Sequence, residues 1–385
     1  MRIEHYPQQL DNGMQQPSHS YQFTWFDWFC LWYPPGWLIL FNRHWQHYHS
    51  YPDGWNWLEY LLFLLPGGFY LALLLRWLRL GCRLPHSSVT QFDPDYQNAF
   101  RDEILAPIVN YYFRAELNLT ENLPQAQPLM VAMNHAGMTF PWDFMGLAYL
   151  LSHTQNWVVQ PLAGVSLFEH PWVIWWLPPG WSQVLGGVRA ELDDFEAAMM
   201  HKTVLLYAPE GVHGPGKGWS KRCKLQTFHP SFIQLSDRYR IPILPVVCLG
   251  NEFLHPWTLN LKKLARKISL PFLPISPLMF IFLLFPSMGV WAMRTRLRYY
   301  IQPLHQPWMT AESESEKTPE NDTSGEGTVL TVCQVRLASP CRDATRFSCP
   351  KGCTSPPISR AQAYRHAQQL REKLQSQIDQ LCNRL

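Results

Sequence analysis

Four short apolar runs, each closing on polar residues or glycine, limit what this chain can fold into. They are "PLMVAMNH" (128–135), "TQNWVVQPLAG" (154–164), "KTVLLYAPEG" (202–211) and "YRIPILPVVCLG" (239–250). Apolar runs of this length suit strands covered on both faces. Between them, "ELDDFEAAMMH" (191–201) and "HPSFIQLSDRY" (229–239) carry helical spacing. Strands alternating with helices predict an α/β domain over 91–308, with a mainly parallel sheet flanked by helices. Ligands of such sheets gather at the carboxyl ends of strands. His135 and Glu210 each sit just past such an end.

"VAMNHAGMTFPWDF" places Asp143 soon after His135. A histidine can take a proton from an alcohol when a carboxylate fixes its tautomer and stabilises the imidazolium. On the residues alone, a structural loop histidine is the rival reading. No G-x-S-x-G occurs, so a serine-hydrolase elbow is absent and the attacking alcohol would belong to the substrate. In "YAPEGVHGPGKGWSK" (207–221), Gly211, Gly216 and Lys217 nearly spell a nucleotide-phosphate loop. Gly218 stands where the magnesium-binding hydroxyl should be, which argues against a nucleotide hydrolase. A glycine-rich turn with Lys217, Lys221, Arg222 and Lys224 remains, suited either to an anionic headgroup or to solvent.

A formal charge of +3 without a long basic block argues against nucleic acid. The 18 Trp and 16 Tyr instead suggest a membrane surface, where amphipathic rings settle at the headgroup level. Residues 1–90 read as a membrane-associated, embedded helical region. "EYLLFLLPGGFYLALLLRWLRLGCR" (59–83) is apolar but broken by Pro66-Gly67-Gly68, so a dip into one leaflet is as plausible as a crossing of about 20 residues. Arg76, Arg79 and Arg83 at its end point to the cytoplasmic side. His44, His47 and His49 read as an interfacial loop without a metal. Nine cysteines without a signal peptide give no disulfide framework. Cys333, Cys341, Cys349 and Cys353 do not match zinc spacing.

Four blocks in order, "MNHAGMTFPWDF", "LGGVRAELDDF", "LLYAPEGVHG" and "RIPILPVVCLG", resemble those of the glycerolipid acyltransferase superfamily over roughly 125–305. "RYYIQPL" (298–304) resembles the closing strand of its diacylglycerol-acylating branch. The resemblance implies acyl transfer from acyl-CoA or acyl carrier protein to a lipid hydroxyl, with no cofactor and no metal. His135 would be the general base and Asp143 its orienting partner. Asn134, Arg189, Glu210, Gly211 and Lys217 would bind or position the acceptor, and Pro245 would shape the acyl-side wall. A lysophospholipid acceptor is favoured by Arg189, a residue able to hold phosphate bidentately. A neutral alcohol such as diacylglycerol, or an inactive lipid-binding protein on the same fold, is the alternative. The family usually leaves four residues between histidine and aspartate; here there are seven, with Phe140 where the aspartate would fall. A turn at Pro141 that brings Asp143 back is the expectation.

The uncharged, proline-rich stretch 268–293, with basic flanks, reads as surface-embedded. Residues 309–359 read as a linker, acidic and polar at first. Residues 360–385 return to helical spacing through Ala367, Leu370, Leu374 and Ile378, and are expected to pack back onto the domain rather than form a coiled coil.

Overall fold

The computed structural model describes residues 20–86, 89, 91–125, 128–136, 140–163, 175–200, 203–267, 273–309 and 358–382. Among the described residues nine strands are formed: β1 (Glu116–Asn118), β2 (Leu129–Met133), β3 (Val159–Ala163), β4 (Val188–Arg189), β5 (Val204–Tyr207), β6 (Ile243–Leu249), β7 (Leu259–Asn260), β8 (Pro274–Ile275) and β9 (Arg298–Ile301). Seven make one sheet in the order β1-β9-β6-β2-β5-β3-β4, and β7 pairs with β8 apart from it. Pairing in the large sheet is parallel except between β6 and β9. The four apolar runs became β2, β3, β5 and β6, and the closing run became β9.

Burial on both faces explains those runs. In β2, Leu129, Val131 and Met133 enter one apolar core, while Met130 and Ala132 enter a second on the opposite face. In β6, Leu244, Val246 and Cys248 join the first core, and Ile243, Val247 and Leu249 the second. The sheet is therefore mixed, mostly parallel and flanked by helices, as its period-two apolar pattern demands.

The first core is roofed by α1 (Trp25–Trp32), α2 (Trp37–Tyr48), α3 (Trp57–Phe63) and α4 (Gly68–Arg79). Thr24 caps α1 in a reciprocal pair with Asp27. Among the described residues, no helix is long and apolar enough to cross a membrane. The apolar run at 59–83 is cut where its sequence suggested: Gly67 takes φ 73° between α3 and α4, a left-handed turn that a side chain would resist.

Three expectations need correction here. Helix α2 is buried, and much of the aromatic surplus goes into edge-to-face packing rather than an interfacial belt: Trp37 meets Trp142 at 4.9 Å and Phe41 meets Phe100 at 5.5 Å. His44 is not in a loop. It sits in α2, fully buried, bonded to the Tyr96 hydroxyl at 3.2 Å and to Glu103 at 2.9 Å, while His49 stacks on Trp45. The arginines Arg76 and Arg79 in the last turn of α4, and Arg83 beyond it, are not a free positive flank either. Arg76 is buried and donates to the carbonyls of Asp53 and Trp175, Arg79 pairs with Glu59, and Arg83 pairs with Asp53.

The proline-rich stretch gives a short helix, Met279–Leu284, and a buried 3-10 turn, Pro286–Val290. It docks against the α3–α4 break, where the Gly67 amide donates to the Leu284 carbonyl and the Tyr70 hydroxyl to the Leu283 carbonyl. The C-terminal helix, Arg360–Cys382, packs on the second core through Ala363, Ala367, Leu370, Leu374 and Ile378. The expected linker over 310–357, with Cys333, Cys341, Cys349 and Cys353, lies outside the described residues.

Candidate active site

Three neighbouring strands, β6, β2 and β5, end on the same edge of the sheet, and each delivers polar residues there: Asn251, His135 and Glu210. Beside them, helix α5 (Trp142–Gln155) begins with Asp143 in its first turn. The His135 Nδ1 lies 2.9 Å from Asp143 Oδ2. The extra residues between the two therefore do not separate them. Phe140 turns away into the aromatic core, 4.8 Å from Trp142 and 5.7 Å from Phe41.

Asp143 is fully buried and densely held. Its Oδ2 also accepts from the Ala136 amide at 3.1 Å and from the Asn251 side-chain amide at 3.2 Å, and its Oδ1 from the Phe144 amide. The Tyr299 hydroxyl donates to its carbonyl at 2.8 Å. Oδ2 is thus met by the Ala136 and Asn251 amides as donors, and His135 Nδ1 donates to the same oxygen. That leaves the Nε2 lone pair as the basic atom. Among the described residues Nε2 has no hydrogen-bond partner, and the ring is 20% exposed, in a T-shaped contact with Phe144 at 4.9 Å. Burial depresses the imidazolium, but the charge and hydrogen bond of Asp143 more than reverse this, with Glu210 adding and Lys217 opposing. The outcome is a pKa above the ordinary histidine value.

Other residues singled out in the sequence take different parts. Glu210 is buried with both oxygens engaged by backbone, accepting from the His135 amide at 3.3 Å and the Gln226 amide at 2.7 Å. Its carboxylate thereby ties the His135 backbone to that of Gln226. Asn134 likewise faces the sheet, exchanging two hydrogen bonds with the backbone of Cys248 in β6. Gly211 takes φ 52° at the turn. Gly214 packs so closely that a Cβ there would lie 2.7 Å from the His135 carbonyl oxygen. Pro245 is buried in the middle of β6, opposite Ala132. Arg189 is in β4, three strands from β2 in the sheet order, or roughly 14 Å at about 4.8 Å per strand. Lys217 does reach the site: with Ala136, Gly214, Trp219 and Arg222 it lines a narrow cleft of about 30 Å³ that opens to solvent.

Three residues of this edge, Asn251, Glu252 and His255, have no counterpart in the motif reading. Their signal was "GNEFLH" (250–255), a polar cluster directly past an apolar strand. The strand-end rule that marked His135 and Glu210 applies to it equally. Among the described residues no three histidine, cysteine or carboxylate side chains are grouped to hold a metal.

Residues 114–249 match the family model described as Acyltransferase. The uncharacterized protein Rv0502 of Mycobacterium tuberculosis is 29% identical over 190 residues, 49% of this chain and 51% of its own length. The uncharacterized protein ML2427 of Mycobacterium leprae is 29% identical over 191 residues, 49% of this chain and 50% of its own. The chain thus spans about half the length of the curated relatives it matches. The 1-acyl-sn-glycerophosphate acyltransferase PlsC of Thermotoga maritima aligns at 16% identity and a TM-score of 0.34, over 69% of this chain and 98% of its own. Residues 114–249 are therefore similar to an acyltransferase domain.

Proposed function

We propose that this protein is a membrane-bound O-acyltransferase that moves a fatty acyl group from a thioester, acyl-CoA or acyl carrier protein, to the free hydroxyl of a lysophospholipid. The observation that carries the reading is the His135–Asp143 pair at 2.9 Å, with Nε2 left unpartnered at the end of the sheet. Nε2 accepts the alcohol proton as the alcohol oxygen attacks the thioester carbonyl. The new C–O bond forms, the C–S bond breaks, and the proton passes from the imidazolium to the departing thiolate. Lys217 and Arg222 on the adjoining cleft favour an acceptor that carries phosphate. With Arg189 three strands away, the preference for phosphate rests on these two residues.

Membrane attachment is supported by an apolar face that the fold leaves uncovered. Leu58 and Leu61 of α3, Leu74 and Leu78 of α4, and Phe280 and Leu283 of Met279–Leu284 are all exposed on segments joined by the Gly67 and Tyr70 hydrogen bonds. A surface of this kind lies along the bilayer plane, its side chains entering the headgroup boundary.

The test is acyl transfer from labelled acyl-CoA to a panel of lysophospholipids and diacylglycerol. Wild type is expected to label lysophospholipids in preference, and His135→Ala to lose at least about 100-fold. Equal labelling by both proteins would remove the imidazole from the mechanism, and preferential labelling of diacylglycerol would overturn the acceptor.

A further inference from the structure

The turn after β6 puts two unsatisfied polar groups on the wall of the cleft next to His135. Glu252 is only 7% exposed, yet among the described residues neither carboxyl oxygen has a hydrogen-bond partner from another residue. Three residues on, His255 is equally buried. Its Nε2 lies 3.2 Å from the Trp291 carbonyl, which can only accept, so Nε2 carries the proton and Nδ1 presents a lone pair. That Nδ1 is also without a partner. Burial pushes the Glu252 carboxyl up against the pull of Lys217, and burial pulls His255 down to about 4, so His255 is neutral at ordinary pH. Buried polar atoms left unpaired are costly and rare, and three of them lining one cleft mark a place where donors are supplied from outside. The same cleft holds Lys217 and Arg222, the latter stacked over Trp219 at 4.9 Å.

We propose that this cleft is the headgroup subsite of the acceptor: Lys217 and Arg222 take its phosphate, and Glu252 and His255 accept hydrogen bonds from a headgroup hydroxyl. The acceptor is then a lysophospholipid with a polyol headgroup. The inference rests on the acceptor reading above and narrows it. A headgroup ammonium suits the cleft less well, because Lys217 and Arg222 outnumber the one carboxyl that lines it. Ala136 belongs both to this cleft and to the backbone beside the base, so a headgroup seated here keeps the acceptor's free hydroxyl close to Nε2.

The experiment compares lysophosphatidylglycerol with lysophosphatidylmethanol, which has the same phosphate charge but no headgroup hydroxyl, in wild type, Glu252→Met and Glu252→Gln. Wild type is expected to show a KM at least about tenfold lower for the glycerol headgroup, with kcat within about twofold, the size of one buried hydrogen bond. In Glu252→Met the difference should vanish while Tm holds or rises, since unmade bonds are removed. Glu252→Gln, which still accepts, should keep part of it. Absence of the difference in wild type, or its persistence in Glu252→Met, overturns the subsite. Lysophosphatidylethanolamine used as well as lysophosphatidylglycerol overturns the polyol assignment. A lipid-free arm separates this inference from the parent reading: glycerophosphoglycerol should raise the Tm of wild type but not of Glu252→Met. If that occurs without any acyl transfer, the enzymatic reading fails and the subsite stands. If lysophospholipids are acylated without such binding, the subsite fails alone.

Discussion

His135 shows how much of a site a single residue's surroundings decide. Its pKa is raised because Asp143 outweighs burial, so the neutral, proton-accepting form is lost as pH falls through a value above the ordinary 6.5 of a histidine. The acid limb of kcat/KM should therefore lie above pH 6.5. Asp143→Asn should carry it to lower pH and cost on the order of 10²–10⁴ in rate, measured as a pH profile on both proteins. An unmoved limb would detach the carboxylate from the base. For stability the sign is opposite: the raised folded pKa stabilises the protein fully below the unfolded value, and this is lost as pH rises through the folded one. The pair was legible in sequence despite its wide spacing, because both residues are local to one strand–helix connection. Asn251 was not. Its hydrogen bond to Asp143 exists only because β6 lies beside β2, an adjacency across more than a hundred residues of chain that no local pattern carries.

Among elements, the central strands were readable because double-sided burial leaves an uninterrupted apolar run, whereas β1 and β4, short strands at the two edges of the sheet, give no such signal. The N-terminal helices were read only in part. Aromatic richness is the same signal whether rings pack on each other, as in α2, or face outward, as do Trp57 of α3 and Tyr70 and Trp77 of α4. Substitution separates these uses. Leu74→Glu combined with Phe280→Glu should cut partition onto anionic vesicles at least about tenfold, from burial worth about 1.5–3 kcal/mol per side chain, with little change in Tm. Leu40→Ala, at a fully buried position of α2, should cost about 2–5 kcal/mol in denaturant unfolding and leave the vesicle affinity of the folded protein alone. The reverse pattern would put the membrane face elsewhere.

At the scale of the whole molecule, the C-terminal helix reaches the site without touching it. Arg371 donates to the carbonyls of Leu225 and Gln226, and Gln375 accepts from the Leu225 amide and donates to the Cys223 carbonyl. The next link is the Gln226 amide on Glu210, and Glu210 in turn holds the His135 backbone. Its amphipathic spacing announced that the helix would dock. That its polar side would clamp the loop bracing the base was not foreseeable, since those hydrogen bonds go to backbone groups. Every tie drawn here between helix and loop is non-covalent, so the helix behaves as a detachable part. A protein ending at residue 309 should turn over weakly, and a synthetic 358–382 peptide added to it should restore turnover in a saturable way, with much of the loss reflecting the lower effective concentration of an untethered piece. Complementation of that kind would make the remote end of this chain a handle on its chemistry.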